Sequence, residues 1–312
     1  MAVTDMQPRL TLGPIQYFWN ADAKQDFYAR IADEAPVDTV YLGEVICSKR
    51  QPFFDDRIAE MAERLTRAGK RVVHSGLAEV MLKRERKASR DMAMQDELEF
   101  EVNNAAGLFH LAEGQPHRVG PYMNVYNEET LAWMVTKGAT HVTVPPELPG
   151  SSVAVMAEAA TRLGVGLEVQ VFGRACLATS ARCYHARAYG RTKDNCQFVC
   201  EEHPDGMELN TRQGEAFLRV NGIQTLSHSY VNLVAEIPAM AAMGVTDLRL
   251  MPQSVDMVAV ARIFDDLRAG RVGAEEASAA LDAMDLAAPF SNGFWHGEAG
   301  HRRIAVKAAA LV

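Results

Sequence analysis

Short apolar runs rich in β-branched residues alternate with helical patterns along most of this chain, and this alternation restricts its fold more than any other feature. A chain that alternates strands with helices forms a parallel sheet covered by helices. The runs predict eight strands, at residues 10–18, 38–45, 71–76, 98–102, 118–125, 139–144, 165–172 and 246–252. Eight strands with intervening helices favour the α/β class and a (β/α)8-type barrel, and an open doubly wound sheet is the alternative.

Helix caps and stops between the strands support this pattern. Helices are predicted over 55–69, which ends on glycine, and over 127–138, which starts with a cap and two acids. The helix over 151–164 begins at serine and stops at glycine. Two more helices are predicted over 231–244 and 254–270.

The spacing of the strands is irregular, because a long interval separates the seventh from the eighth. This interval predicts a cysteine-rich insertion over about 173–245, in which residues 219–224 read as a hairpin turn. A C-terminal tail is expected over about 271–312. We therefore predict a single β/α-barrel domain over 1–312, with this loop and hairpin inserted between the last two strands.

Bulk properties restrict the function and the compartment. A formal net charge of −8 argues against nucleic acid as a partner. The sequence has no stretch of about 18 apolar residues that could form a transmembrane segment, and its first residues contain no apolar signal core. A cytoplasmic location is therefore expected. Disulfides rarely persist there, so clustered cysteines are expected to bind metal or to act in catalysis.

Four of the five cysteines point to one site. Cys183, Cys196 and Cys200 follow the seventh predicted strand, and Cys47 follows the second. Loops at the carboxyl ends of barrel strands share one face, so they could bring the four thiols together. Thiolates suit an iron–sulfur cluster or zinc. The spacing lacks the paired short knuckles of structural zinc, which favours iron–sulfur, while zinc and unrelated buried thiols stay open. Cys176 is expected to be a small core residue.

Polar side chains near strand ends and in the cysteine loops are candidate substrate-binding residues. They are Glu44, Asn124, Glu168, Gln170, Arg182 and His185. Each has a structural alternative: Glu44 could cap a loop, and Glu168 could belong to a satisfied internal hydrogen-bond network. Arg182 and His185 could offset the negative charge of a cluster or hold a dicarboxylate, or they could lie on an exposed loop. No catalytic residue is assigned.

Residues 168–183 resemble the signature of the collagenase-like peptidase family, also called peptidases of unknown type, family 32. The signature positions are Glu168, Gly173, Cys176 and Cys183, and the departures from it are Gln170, Arg174 and Ala181. The chain is more similar to the UbiV-like branch of that family. That resemblance rests on residues 40–50, 180–187, 220–227 and 292–297, and on the spacing of the last three cysteines.

The resemblance implies a [4Fe–4S] cluster held by Cys47, Cys183, Cys196 and Cys200. It also implies a heterodimer with a homologous UbiU-like subunit and cooperation with a UbiT-like lipid-binding protein. The expected activity is hydroxylation of the aromatic ring of ubiquinone precursors without O₂, with prephenate as the oxygen donor. A peptidase-like hydrolase and a non-catalytic iron–sulfur subunit, which relays electrons or stabilises its partner, are the alternatives.

Overall fold

The computed structural model describes residues 7–95 and 97–305, and its strands form a closed barrel. The strands, in chain order, are β1 (Arg9–Leu12), β2 (Thr39–Leu42), β3 (Arg71–Ser75), β4 (Phe100–Val102), β5 (His117–Val119), β6 (Ala139–Thr143), β7 (Gly166–Thr179), β8 (Met207–Asn210), β9 (Ala216–Asn221), β10 (Gln224–Asn232), β11 (Asp247–Leu250) and β12 (Phe290–Ser291). Strands β1 to β7 pair in parallel in chain order, and β11 pairs in parallel with both β7 and β1. The predicted (β/α)8-type barrel is confirmed.

Helices follow the barrel strands and cover the outside of the barrel, except the short helix Tyr184–Ala188, which lies in the inserted segment between β7 and β8. They are α1 (Ala21–Glu34), α2 (Asp55–Arg67), α3 (Lys83–Ala93), α4 (Ala105–His110), α5 (Glu128–Thr136), α6 (Gly150–Leu163), α7 (Tyr184–Ala188), α8 (Ile237–Met243), α9 (Met257–Arg268) and α10 (Ala274–Asp282). Side chains of Asn20, Asn127 and Asp256 cap the first backbone N–H groups of α1, α5 and α9. Gly164 ends α6 in the left-handed conformation, as its sequence position predicts.

Side-chain alternation along the strands separates an apolar layer from a polar barrel interior. Leu10 and Leu12 of β1 are fully buried in the main apolar core, which lies between the strands and the helices. Thr11, between them, points into the barrel and donates to Glu168 of β7. The same alternation repeats around the barrel, because successive side chains of a strand point to opposite faces.

The insertion between β7 and β11 is an antiparallel extension of the barrel sheet. Strand β7 runs on to Thr179, beyond its predicted end, and β10 pairs with this extension. The predicted hairpin is present: β9 and β10 join through Gly222 and Ile223, with Gly222 at φ +60°. Strand β8 adds a third strand that the sequence did not reveal, because its residues are mostly exposed and lack an apolar alternation.

Prolines account for the main errors in the predicted boundaries. The first strand, predicted over 10–18, ends at Leu12, just before Gly13 and Pro14, and the fifth, predicted over 118–125, ends two residues before Pro121. Proline lacks the N–H that a strand ladder needs, so it ends strands inside a sheet.

The other corrections concern the C-terminal third of the chain. The helix predicted over 231–244 is shorter in the structure: its first residues complete β10, a 3-10 turn follows at Val234–Glu236, and α8 begins beside Pro238. In the tail, α10 and β12 were not predicted, and residues 306–312 lie outside the described part. Within residues 7–95 and 97–305, no helix is long and apolar enough to cross a membrane.

Candidate functional site

The cysteines lie in loops at the face of the barrel where its strands end. Cys47 follows β2, and Cys183 caps the short helix α7, where its Sγ accepts from the backbone N–H of Ala186 at 3.4 Å. Cys196 and Cys200 lie in the next loop, and both are buried. All five cysteines are free thiols. The predicted common face therefore carries both cysteine segments.

The buried charge of Arg50 acts on thiols from both of these segments. Burial alone would lower the pKa of Arg50, but the neighbouring Cys200, Glu44 and Cys47 more than offset this and raise it. Burial raises the pKa of the Cys200 thiol; the Arg50 guanidinium opposes that rise, and the thiols of Cys183 and Cys196 add to it. The structure thus groups Cys183 and Cys196 around Cys200, and places Cys47 on the same arginine.

Lys49 links the two loops directly. Its ammonium group lies 3.5 Å from Sγ of Cys196 and donates to the backbone carbonyls of Lys193 at 2.9 Å and Asp194 at 3.0 Å. The loop that carries Cys47 is thereby tied to the loop that carries Cys196. Both Lys49 and Arg50 follow Cys47 closely in sequence, so one short segment supplies a thiol and two cations.

Backbone conformation between the last two cysteines is unusual. Gln197 and Phe198 both lie in the left-handed region, with φ of +50° and +52°. Such conformations cost of order 1–3 kcal/mol each for residues other than glycine. The ring of Phe198 packs on Phe53, with 4.8 Å between ring centroids, and on Phe18 at 5.6 Å. Aromatic packing therefore holds a strained turn that positions Cys196 and Cys200.

The donor set fits a thiolate-bound cluster in its chemistry and in its charge. Cys47, Cys183, Cys196 and Cys200 are soft donors of the kind that holds iron–sulfur clusters. The buried guanidinium of Arg50 has Nε without a hydrogen-bond partner among the described residues, so an anionic group beside it would be stabilised. In the described part of the chain, no three His, Cys, Asp or Glu side chains are grouped to hold a single metal ion. The cluster itself stays a prediction.

Glu44 supports the loop of Cys47. Its Oε1 accepts the backbone N–H groups of Ile46 at 2.9 Å and Cys47 at 3.0 Å. Its second carboxylate oxygen is buried and has no partner among the described residues. The contacts of Glu44 are those of the loop cap that was its structural alternative.

Cys176 lies apart from the other thiols, on the wall of a cavity of about 280 Å³ at the mouth of the barrel. Burial raises the pKa of this thiol to about 11, and the neighbouring Gln224 and Tyr122 oppose the rise. Asn124 and Gln170 line the same cavity. We call this space the barrel-mouth cavity; it brings two of the predicted substrate residues together.

The two predicted residues of the cavity differ in solvent exposure and in hydrogen bonding. Asn124 is exposed and adopts φ +55° at the end of a turn after β5. Gln170 is buried, and its Nε2 donates to the backbone carbonyls of Arg174 at 3.1 Å and Gly173 at 3.3 Å. Asn124 is therefore the more accessible of the two to a ligand.

Glu168 lies below the cavity, inside the barrel. It accepts hydrogen bonds from Thr11 at 2.5 Å, Tyr41 at 3.0 Å and Thr143 at 2.6 Å, and it forms an ion pair with Arg249. Burial would raise the pKa of this carboxyl, but Arg249 and its other partners hold it well below its usual range. These contacts form the internal network that was the alternative to substrate contact.

Arg182 and His185 occupy different environments beside Cys183. Arg182 is exposed and lines an open recess of about 470 Å³ together with Arg187 and Arg191. His185 is fully buried, and burial, followed by His203 and Arg50, lowers its pKa to about 4. Arg182 can reach a ligand at the surface, whereas His185 is a neutral part of the packing around the site.

A hydrogen-bonded chain that sequence reasoning missed connects the cysteine site to the barrel-mouth cavity. Arg50 donates to the backbone carbonyl of Gln16 at 2.9 Å, and the Gln16 side chain donates to the Tyr122 hydroxyl at 2.6 Å. Gln224 donates to the same hydroxyl at 2.7 Å. Two cations, two and three residues after Cys47, were the signal that could have drawn attention to Arg50.

One comparison identifies a known family. The family model described as Peptidase family U32 matches residues 24–304. This span contains all five cysteines, the inserted strands and every barrel strand except β1.

Proposed function

The chain belongs to peptidase family U32, and from that premise we propose that it is the [4Fe–4S]-bearing subunit of an oxygen-independent hydroxylase. Its substrate would be the aromatic ring of ubiquinone precursors. The observation that carries the proposal is that Cys47 and Cys200 both neighbour the buried Arg50, while Cys183 and Cys196 neighbour Cys200. The resemblance to the UbiV-like branch supplies the substrate class, the UbiU-like and UbiT-like partners and prephenate as oxygen donor.

Each part of the site has a stated task under this proposal. The four thiolates hold the cluster, which supplies one-electron redox chemistry when bound. Glu44 orients the loop of Cys47 through two backbone N–H groups. The barrel-mouth cavity, with Asn124 and Gln170 on its wall, is where we expect a small ring to bind, since (β/α)8 enzymes bind ligands at this face.

A peptidase-like hydrolase is the second candidate, because the family as a whole is described as a peptidase family. The Cys176 thiol, which lines the barrel-mouth cavity, is the nucleophile we consider for such an enzyme. However, the pKa of Cys176 is raised to about 11, so little thiolate exists at neutral pH. This protonated thiol does not favour the hydrolase, so we keep the hydroxylase as the leading proposal.

Iron and sulfide analysis of protein purified without oxygen tests the proposal. We expect four irons per chain, and replacement of Cys47, Cys183, Cys196 or Cys200 by Ala should remove most of them. Cys176→Ala is the matched control and should keep its iron, because that thiol lies apart in the barrel-mouth cavity. Iron that persists in Cys47→Ala but disappears in Cys176→Ala would reject this ligand set.

A second measurement separates a catalyst from an electron relay. Ring hydroxylation is assayed with the UbiU-like subunit present, while the cluster of each subunit is removed in turn by cysteine substitution. In the decisive arm, only this chain's cluster is removed and electrons are supplied to the partner. Loss of all product in that arm supports a catalytic role for this chain. Undiminished product under those conditions assigns this chain a non-catalytic role, as an electron relay or as a subunit that stabilises its partner.

A further inference from the structure

Arg50 differs from the other fully buried arginines of this protein. Arg118, Arg174 and Arg249 each have a carboxylate within 2.7 Å. Arg50 is 1% exposed, and among the described residues it has no carboxylate within ion-pair distance. A buried charge without a partner costs several kcal/mol, so a buried arginine of this kind indicates an anionic group that completes its environment.

The surroundings of Arg50 show where that group would lie. Its two terminal nitrogens donate to neutral acceptors, the backbone carbonyl of Gln16 at 2.9 Å and Oδ1 of Asn221 at 3.0 Å. The charge of Glu44 acts on it from beyond ion-pair distance, and one oxygen of that carboxylate is used by the loop of Cys47. The remaining neighbours that can become anionic are the thiols of Cys47 and Cys200.

Lys49 adds a second cation, which lies beside a different thiol, that of Cys196. Its ammonium is 3.5 Å from Sγ of Cys196, and it is also held by two backbone carbonyls. These three contacts direct it toward the thiol and limit its freedom to point into solvent. Lys49 and Arg50 together therefore bring two positive charges to three of the four proposed ligands.

We infer that Lys49 and Arg50 are positioning residues that hold positive charge against the cysteine thiolates and raise the reduction potential of the cluster. This inference rests on the proposed function, because it presupposes that Cys47, Cys183, Cys196 and Cys200 bind the cluster. Neither cation touches substrate in this role. Both act through the ligands.

The direction of the effect follows from charge. Reduction by one electron, supplied for example by dithionite, adds one negative charge to a centre that already carries four thiolates, and no bond is made or broken. Nearby cations stabilise the reduced form more than the oxidised form, which raises the potential. Arg50 should have the larger effect, because it is fully buried and Coulomb interactions are stronger at low dielectric. Arg182 and Arg187 are exposed, so solvent and salt screen them.

The test is a redox titration of the purified holoprotein, followed by the visible spectrum and by electron paramagnetic resonance. Variants are Arg50→Gln, Arg50→Lys and Lys49→Gln. In Arg50→Gln the ratio of reduced to oxidised cluster at a fixed potential should fall by about tenfold, which is about 59 mV for one electron. Lys49→Gln should lower this ratio by a smaller factor. Arg50→Lys keeps the positive charge, so its ratio should stay close to that of the wild type.

Arg67→Gln is the matched control. Arg67 is exposed at the end of α2, which leads into the start of β3 and so lies on the opposite face of the barrel. Arg67→Gln changes the net charge of the protein by the same amount as Arg50→Gln but should leave the reduction potential of the cluster unchanged. An equal shift in this control would overturn the inference, since the effect would then be one of net charge alone.

The outcomes separate this inference from the proposed function. Wild-type protein without iron would reject the proposed function. A wild-type cluster whose potential is the same in Arg50→Gln and Lys49→Gln would overturn the inference and leave the function intact. If Arg50→Gln fails to assemble its cluster, Lys49→Gln decides: an unchanged potential in that variant overturns the inference, and a lowered one supports it.

Discussion

The carboxylate of Glu44 accepts the backbone N–H of Cys47 at 3.0 Å, so an acid just after β2 anchors the backbone of a cysteine three residues later. The same oxygen accepts from Ile46 at 2.9 Å. A single acceptor atom thus fixes the loop that carries the one cysteine distant in sequence from the other three proposed ligands.

Glu44→Ala should therefore weaken iron retention, because it removes both hydrogen bonds to the loop. Hydrogen bonds to charged groups contribute about 1.5–3 kcal/mol each, so a loss of at least about 3 kcal/mol in the free energy of unfolding is expected for the two bonds together. Iron per chain after desalting and urea denaturation are the measurements. Glu44→Gln is the control, since its amide oxygen can still accept. Equal iron content and stability in both variants and in the wild type would contradict the role of Glu44.

Glu168→Gln should lower the free energy of unfolding by about 3 kcal/mol at pH 7, because it removes one member of a buried ion pair with Arg249. The pKa of Glu168 is lowered in the folded protein, so its contribution is complete above the unfolded-state pKa, near 4.3, and is lost as pH falls toward the folded-state value. The stability difference between wild type and variant should thus shrink below about pH 4. Denaturation at pH 7 and at lower pH measures it, and a difference that grows with acidity would refute this assignment.

Gln197→Gly should stabilise the metal-free protein by up to about 1 kcal/mol, because it relieves a left-handed conformation that glycine adopts freely. Gly190→Ala is the opposite test. Gly190 has φ +67° and open space around its Cα, so an added methyl group should destabilise through backbone strain alone. Denaturant midpoints of both variants give the comparison. Destabilisation in Gln197→Gly would show that the Gln197 side chain contributes more than its strain costs.

The proposed cluster should be sensitive to oxygen in the isolated subunit. Cys47 and Cys183 are only partly buried, whereas Cys196 and Cys200 are buried, so one side of the site is open to solvent. Exposure of cysteine ligands favours their oxidation. The absorbance of the thiolate-to-iron bands should decay during aeration. A spectrum that survives prolonged aeration would indicate that this side is better protected than the partial burial of Cys47 and Cys183 suggests.

A UbiU-like partner should bind this chain and increase retention of its cluster. Phe53, beside the loop of Phe198, is 52% exposed and is a candidate for burial in such an interface. Obligate interfaces bury upwards of roughly 2,000 Å², and binding to the folded holoprotein stabilises it by mass action. Size exclusion of the co-expressed pair and iron per chain are the measurements. A fully loaded monomer that does not associate with the partner would reject the heterodimer.

Prediction from sequence succeeded where local patterns suffice. Gly164 marks the end of α6, and the cap predicted at the start of the 127–138 helix is the Asn127 side chain that caps α5. It failed for β8, whose residues are mostly exposed and which exists only because β9 pairs with it. Pairing between strands is a contact between segments, and no pattern within one segment reports it.

The amino-acid sequence by itself determined the alternation of strands and helices and the thiols available for a site, and it favoured a barrel over an open doubly wound sheet. Only the tertiary structure decided that Arg50 lies buried between the backbone of Gln16 and the side chain of Asn221, a residue 171 positions away in the chain. It also decided that Glu168 faces an arginine inside the barrel while Cys176 faces a cavity. Burial and charge pairing depend on which distant residues meet, and that is set by the closure of the barrel and the packing of its loops.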